Sequence, residues 1–440
     1  MTKIAIIGAG SAVFAQQMIV DILNISELEQ GEFALIDIDP VRLAQSHEIA
    51  ELTVKRFKKD FTVRSSSNRL DLLPGTNFVI NTIEVSGLET VRFDNDIPLK
   101  YGVDQCIGDT AGPGGLMKFL RTAPAWLEIV RDIERLAPKA VVMNYTNPMS
   151  ALVLTASRGS SLSVIGLCHS IQNTAAELAG FLELPASELT YRCAGINHMS
   201  WIFNMYHKGI DIMPKLLELT NNPEIYEQDI IRFEMLKYFG GFPTESSGHF
   251  SEYVPYFRKR KDLLALYTRA EYKGESSFYA NNWPQWRIDH DTEVKSLIER
   301  ERRGEEAISL ERSPEFASNI IEGIIFNRPQ VISGNVINHG LIDNLAQDGC
   351  VEVTCLVDKN GIQPTRFGKL PTHLAALDMT HQAMHDLMAT AVLEQDREAA
   401  FHALLIDPLT AAVCSPAEIR AMFEELVSAE QQYLPAFMKA

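Results

Sequence analysis

What this chain lacks narrows its class first. No stretch approaches the roughly 20 consecutive apolar residues that a membrane-spanning helix requires, so no bilayer span is expected. Basic residues are scarce: 40 Lys and Arg stand against 57 Asp and Glu, a formal net charge of −17. That balance leaves little of the basic surface on which nucleic acids and anionic membranes depend. Cysteines number 6, scattered and without the paired spacing of a disulfide framework. No basic, apolar leader precedes the first strand-like run, so a secretory signal is not expected and the cytoplasm is the expected compartment. Neither repeats nor low-complexity tracts interrupt the 440 residues, a length that allows two or three well-buried domains.

What is present begins at residue 4. Ile4-Ala-Ile-Ile-Gly-Ala-Gly10 reads as a buried strand ending in a glycine turn, followed by a helix. Such a turn places a dinucleotide pyrophosphate at a helix N-terminus, where free N–H groups and the helix dipole favour an anion. Gly8 permits the tight turn and Gly10 is expected to let the backbone approach the phosphates. Val13 stands where the fingerprint has its third glycine. A second apolar run, Phe33-Ala-Leu-Ile, ends in Asp37, placed to accept hydrogen bonds from an adenosine ribose. Ser11 and Arg42 complete the candidate cofactor set. The expected cofactor is NAD.

Strand-like and helix-like patches alternate through the first 200 residues. Strands are expected at 61–63, 77–83, 140–145 and 164–168, with helices over 40–58 and 116–136. That alternation predicts an α/β fold, a doubly wound parallel sheet of Rossmann type over 1–195, with ligands beyond the carboxyl ends of the strands. Residues 196–440 read as a mixed α+β domain that binds substrate, completes a metal site and oligomerises. Within it, 330–335 and 350–357 are expected strands and helices follow from about 371. The charged region 258–315 reads as surface loop and helix.

Cys168 falls at an expected strand end, and His198 follows thirty residues on. A thiol with an imidazole suits a divalent transition ion. On spacing alone the pair is more readily a buried hydrophobe and a structural histidine.

The combination of Gly8-Ala-Gly-Ser11, Asp37-Ile-Asp39, Asp109-Thr-Ala-Gly-Pro-Gly-Gly115, Asn147-Pro148, Cys168-His-Ser170 and Gly195-Ile-Asn-His198 closely resembles glycoside hydrolase family 4. The resemblance extends through Gly340-Leu-Ile-Asp-Asn344 and Leu356-Val-Asp-Lys-Asn-Gly-Ile-Gln-Pro364, and so over essentially the whole chain. It implies hydrolysis of α-galactosides such as melibiose by a route unlike the usual two-carboxylate mechanism. In that route NAD⁺ transiently oxidises C3 of the sugar, a base removes the acidified C2 proton, the glycosidic oxygen leaves by elimination, and water adds to the enone before the hydride returns. The resemblance also implies Cys168 and His198 as ligands of a divalent metal, usually Mn²⁺, and Asn147 as a contact of the sugar hydroxyls. His169 is implied as the leaving-group acid, Asp109 as a carboxylate that sharpens the base, and Tyr253 as the base itself. Tyr256 and His249 stand as alternative bases, His249 also as a substrate contact. A dimer or tetramer is the implied assembly.

Related members act on α-galacturonides or α-glucosides. A galacturonide would need a basic group near C6, for which Arg92 and Arg121 are the candidates. A plain 2-hydroxy acid dehydrogenase shares the Rossmann architecture, but it would need an Asp–His pair and a carboxylate-binding arginine, and no such clamp is visible.

Overall fold

The computed structural model describes residues 1–439, apart from the side chain of Val13, so the missing third glycine lies outside the described side chains. The N-terminal half follows the expected alternation: β1 (Thr2–Ile7), α1 (Ala12–Leu23), β2 (Gln30–Ile36), α2 (Pro40–Phe57), β3 (Asp60–Ser66), β4 (Phe78–Asn81), α3 (Leu88–Lys100), α4 (Gly112–Leu136), β5 (Val141–Asn144), α5 (Met149–Gly159), β6 (Val164–Gly166) and α6 (Ser170–Phe181). These strands pair in parallel in the order β3-β2-β1-β4-β5-β6, the doubly wound arrangement. Alternation along β1 sends Ala5 and Ile7 into one hydrophobic core and Ile4 and Ile6 into another. Both sheet faces are therefore covered, which is why these strands read as unbroken apolar runs.

The second half does not build a sheet of its own. The later strands are β7 (Leu189–Ile196), β8 (Met199–His207), β9 (Ile210–Asp211), β10 (Phe242–Pro243), β11 (Gln330–Ile337), β12 (Cys350–Asp358) and β13 (Gly361–Pro364). They extend the same 13-stranded sheet in antiparallel fashion, in the order β6-β11-β12-β7-β8-β10. β7 spans the expected boundary at residue 195 and pairs only with β8 and β12. Sequence patterning did not reveal β7, β8 or α3. The region 258–315, expected as surface loop and helix, carries a 25-residue helix, Phe278–Arg302. Val294, Ile298 and Ile308 pack on Ala12 and Ile49, sealing that helix region against α1 and α2. Arg42–Asp291 (2.9 Å), Arg56–Glu301 (2.8 Å) and Arg302–Glu48 (2.5 Å) hold the helix along α2. No helix among the described residues is long and apolar enough to cross a membrane.

Two glycines carry the site-bearing end of the sheet. Gly8 adopts φ +88°, and a Cβ there would lie 2.6 Å from the Thr82 carbonyl. Gly195 faces Glu352 of β12 and Ser200 of β8, and its Cβ would lie 2.5 Å from the Met199 carbonyl oxygen. Gly195→Ala should therefore cost about 1–3 kcal/mol through overpacking. Urea denaturation checks this as a lowered midpoint at constant m-value. A change below about 0.5 kcal/mol would mean that the strand pair widens without strain.

Candidate active site

One cavity of about 630 Å³ lies beyond the carboxyl ends of the parallel strands. Its lining includes Gly8, Gly10, Ser11, Asp37 and Arg42 at one end and Asp109, Asn147, Cys168, His169, His198 and His249 toward the other. Every residue expected at the site lines it except Tyr253.

At the cofactor end, Asp37 accepts the Gly10 N–H at 2.7 Å and the Asp39 N–H at 2.9 Å. A Cβ at Gly10 would lie 2.7 Å from the Asp37 carboxylate. Gly10 is thus small for the sake of Asp37, and it also lines the cavity. Arg42 is held by Asp291.

At the other end, local structure aims each side chain. Asn81 donates to Asn144 (2.8 Å) and Thr146 (3.2 Å), and Thr146 donates to the Ile83 carbonyl (3.0 Å), fixing the turn that presents Asn147. The Asn147 Oδ1 is buried without a partner, ready for a sugar hydroxyl. His198 sits in the two-residue turn between β7 and β8 with φ +64°. Such a conformation is strained for a non-glycine residue and is kept only where the surroundings impose it. The Tyr253 hydroxyl lies 3.1 Å from His198 Nδ1, so Nε2 is the ring nitrogen turned to Glu245 at 3.5 Å. Tyr253 is buried behind His198 and does not line the cavity, where a base against the sugar is expected. Tyr256, the alternative, packs on Phe239 and Phe257 outside the cavity lining.

His198, Glu245 and His249 bring one donor atom each within 4.8 Å of one another. The donor set fits a divalent ion. His249 Nε2 is buried without a partner, and burial together with His198 pushes this ring down to about 4, keeping it neutral. Burial would raise the Glu245 carboxyl, but His198 and His249 hold it below its ordinary value, and so ionised. The neutral ring of His249 and the ionised carboxylate of Glu245 are forms that bind metal. The Tyr253 hydroxyl holds the His198 ring from behind, the position that outer partners of metal-binding histidines take. Cys168, expected in the metal pair, lines the same cavity outside this three-residue set. Its Sγ donates to Ser170 at 3.4 Å, and burial, with Glu352 and Glu245, pushes the thiol up to about 12.

Asp109 bonds Thr110 (2.6 Å) and Lys118 (3.2 Å), and Lys118 also pairs with Glu84 at 3.1 Å. Burial would raise Asp109, but Lys118, His249 and Thr110 hold it below the usual carboxylate range. The loop before it is clamped by Glu252, whose carboxylate accepts the N–H groups of Cys106 (2.7 Å), Ile107 (2.6 Å) and Gly108 (3.0 Å). Neither Glu245 nor Glu252 stands out from sequence, although both flank His249. The pattern Glu245-x-x-x-His249, one helical turn apart, is the available signal.

Residues 3–184 match the family 4 glycosyl hydrolases, and residues 193–410 match the family 4 glycosyl hydrolase C-terminal domain. Fold and site together define a doubly wound enzyme whose dinucleotide cleft opens onto a cluster fit for a divalent ion. The chain belongs to family 4 of the glycosyl hydrolases, which displaces the plain dehydrogenase reading. It is 36% identical to the α-galactosidase of Bacillus subtilis (strain 168) over 99% of this chain and 100% of that one. It is 35% identical to the α-galactosidase of Rhizobium meliloti (strain 1021), over 100% and 90%. An α-galacturonidase of Lachnoclostridium phytofermentans matches at 28% over 98% and 97%. The fold is shared with a 6-phospho-α-glucosidase from gut microorganisms solved with NAD and Mn²⁺, at TM-score 0.80 and 20% identity over 99% of both chains.

His169 stands at the cavity mouth, its side chain 55% exposed, with Nδ1 3.1 Å from Glu315. The Glu315 hydrogen bond, against the effect of burial, raises this ring to about 9. The folded state thus favours the imidazolium. The pair supports folding fully below the ordinary histidine value of about 6.5 and loses that support as pH rises through about 9. In Glu315→Gln the His169 titration, followed by NMR of the imidazole, should fall toward about 6.5. An unmoved titration would remove Glu315 as the cause.

Proposed function

We propose that this chain is an α-galactosidase that works with NAD⁺ and a divalent metal ion, Mn²⁺ in the first instance. The observation that carries the reading is the continuity of one cavity, from Gly8 and Asp37 to His198, Glu245 and His249. When bound, the two groups supply hydride exchange at C3 of the sugar and Lewis acidity at its O2 and O3 oxygens. The chain supplies binding, orientation and the proton for the leaving group. Asp37 receives the adenosine ribose, and Gly8 and Ser11 border the pyrophosphate. Asn147 Oδ1 accepts from a ring hydroxyl. His169, charged at neutral pH, delivers a proton to the departing glycosidic oxygen at the mouth, where the leaving group meets solvent. Asp109 and Lys118 form a buried charged pair beside His249.

Specificity follows from the cations. Arg121 is buried between Asp94 (2.7 Å) and Glu430 (2.6 Å), and Arg92 reaches Asn281 at 3.0 Å on the surface. Lys118 is taken by Glu84 and Asp109. Neither arginine considered for a uronate lines the cavity, which favours a galactoside over a galacturonide. Full-length identity to two α-galactosidases supports the same choice.

Dialysed protein should hydrolyse p-nitrophenyl α-galactoside only when NAD⁺ and Mn²⁺ are both restored, without net consumption of NAD⁺. In D₂O the released galactose should carry deuterium at C2. Faster turnover of the α-galacturonide, or full activity without NAD⁺, would overturn the assignment. Tyr253→Phe should weaken Mn²⁺ binding about 10–100-fold by releasing His198, with activity recovering at high Mn²⁺. A rate lost at unchanged metal affinity would return Tyr253 to the role of base.

A further inference from the structure

The helix Phe278–Arg302 also lines the cavity that the glycine turn borders. Tyr279, Trp283 and Arg287, four residues apart, all line the cavity, and Asp291, four further on, holds Arg42 at 2.9 Å. Residues at this spacing follow one side of a helix. Between Tyr279 and Asp291 the helix advances about 18 Å at 1.5 Å per residue. One end of the stripe belongs to the Asp109–Lys118 region, since Tyr279 also lines a small recess with Asp109 and Lys118. The other end reaches Arg42, next to the ribose carboxylate. Arg287 falls between the two, on the same cavity that Gly8, Gly10 and Ser11 line.

The glycine turn itself has few donors left for an anion. Gly8 N–H and Ala9 N–H both donate to the Ile36 carbonyl (2.9 and 3.1 Å), Gly10 N–H to Asp37 (2.7 Å) and Ser11 N–H to the Gly8 carbonyl (3.2 Å). The Ser11 side chain makes no capping hydrogen bond to α1. The Ser11 hydroxyl and the first-turn amides of α1 remain, the latter with the dipole behind them. The acidic residues lining this cavity, Asp37, Asp39, Glu84, Asp109 and Glu245, would repel a diphosphate. Arg42 and Lys118 are each engaged by carboxylates.

The geometry points to Arg287 as the cation that binds the pyrophosphate of the dinucleotide, from a helix outside the nucleotide-binding half of the chain. This rests on the dinucleotide reading of the cleft and adds the residue that supplies its countercharge. A guanidinium matches phosphate oxygens through two parallel N–H donors. The half-buried position of Arg287 against the cavity keeps that fork at the wall rather than in bulk solvent.

Calorimetric titration of NAD⁺, ADP and adenosine into the full-length protein, without added metal, tests the assignment. Arg287→Ala and Arg287→Gln should each lose roughly ten- to a hundredfold in affinity for NAD⁺ and for ADP while binding adenosine as the wild type does. Arg287→Lys, keeping the charge but not the fork, should fall between. The dependence of ADP affinity on salt should be shallower in the neutral variants. Wild-type affinity for NAD⁺ and ADP in the neutral variants would overturn the proposal. So would an equal loss for adenosine, since that would mean the residue only supports the helix. Should Arg287→Ala not fold, judged by its melting transition, the Gln and Lys variants carry the test. Failure of the wild type to bind NAD⁺ or ADP at all would instead overturn the proposed function.

Discussion

One row of backbone pairs fixes the whole site. Across the sheet, Ser66, Ile36, Ile7, Asn81, Asn144, Gly166, Asn335, Glu352, Gly195 and Ser200 stand side by side, each paired with the next. Just beyond this row the chain turns, and the turns deliver Gly8, Asp37, Thr146 with Asn147, Cys168 with His169, and Asn197 with His198. A shift of one residue between any two of these strands would turn side chains to the opposite face. The dinucleotide end and the metal-fit end would then no longer share a cavity. The register across β6, β11, β12 and β7 is therefore what makes one site out of two halves.

The middle of that row is unusual for a sheet interior. Glu352 is fully buried, accepts Ser200 Oγ at 2.7 Å and Asn335 Nδ2 at 3.2 Å, and burial pushes its carboxyl up to about 7. Asn335 in turn reaches the Gly166 carbonyl at 3.4 Å. Buried polar groups are tolerated when bonded and costly otherwise. Here they lock the junction between parallel and antiparallel strands, where each pairing is a single residue long. Gly166 is small for the same reason: a Cβ there would crowd Met149 and Asn335.

Much of this is legible in the residues, and the reasons differ by region. The parallel half reads plainly because strands buried on both faces leave unbroken apolar runs between helical patterns. The turns beyond those strands carry their chemistry in the residue types themselves, and Gly8, Asp37, Asn147, Cys168 and His198 all line the cavity as that chemistry requires. The burial of Tyr253 is not legible, because its distance along the chain from His249 says nothing about which ring faces the cleft and which stands behind. Glu245 escapes notice because a carboxylate in a polar loop carries no period. The bounds of the helix Phe278–Arg302 are blurred for a related reason. Its contacts are ion pairs and a spaced aromatic stripe rather than a continuous apolar face, so hydrophobic periodicity is weak. β7 and β8 are obscured where one bulge, between Arg192 and Cys193, shifts the pairing.

The strand order has a consequence for synthesis. β6 and β7 follow one another along the chain, yet β11 and β12 lie between them in the sheet. When a ribosome has made the first two hundred residues, β6 presents an open edge of the kind that invites association between chains. That edge stays open until the segment through residue 358 emerges and slides into place. At about 5–20 residues per second the wait is on the order of ten to thirty seconds. Such long-range closure also slows refolding of the finished chain, since distant pairings must form against loop entropy. The junction that unites the site is thus the last part of the sheet to exist, and a chaperone that protects the nascent β6 edge protects the enzyme.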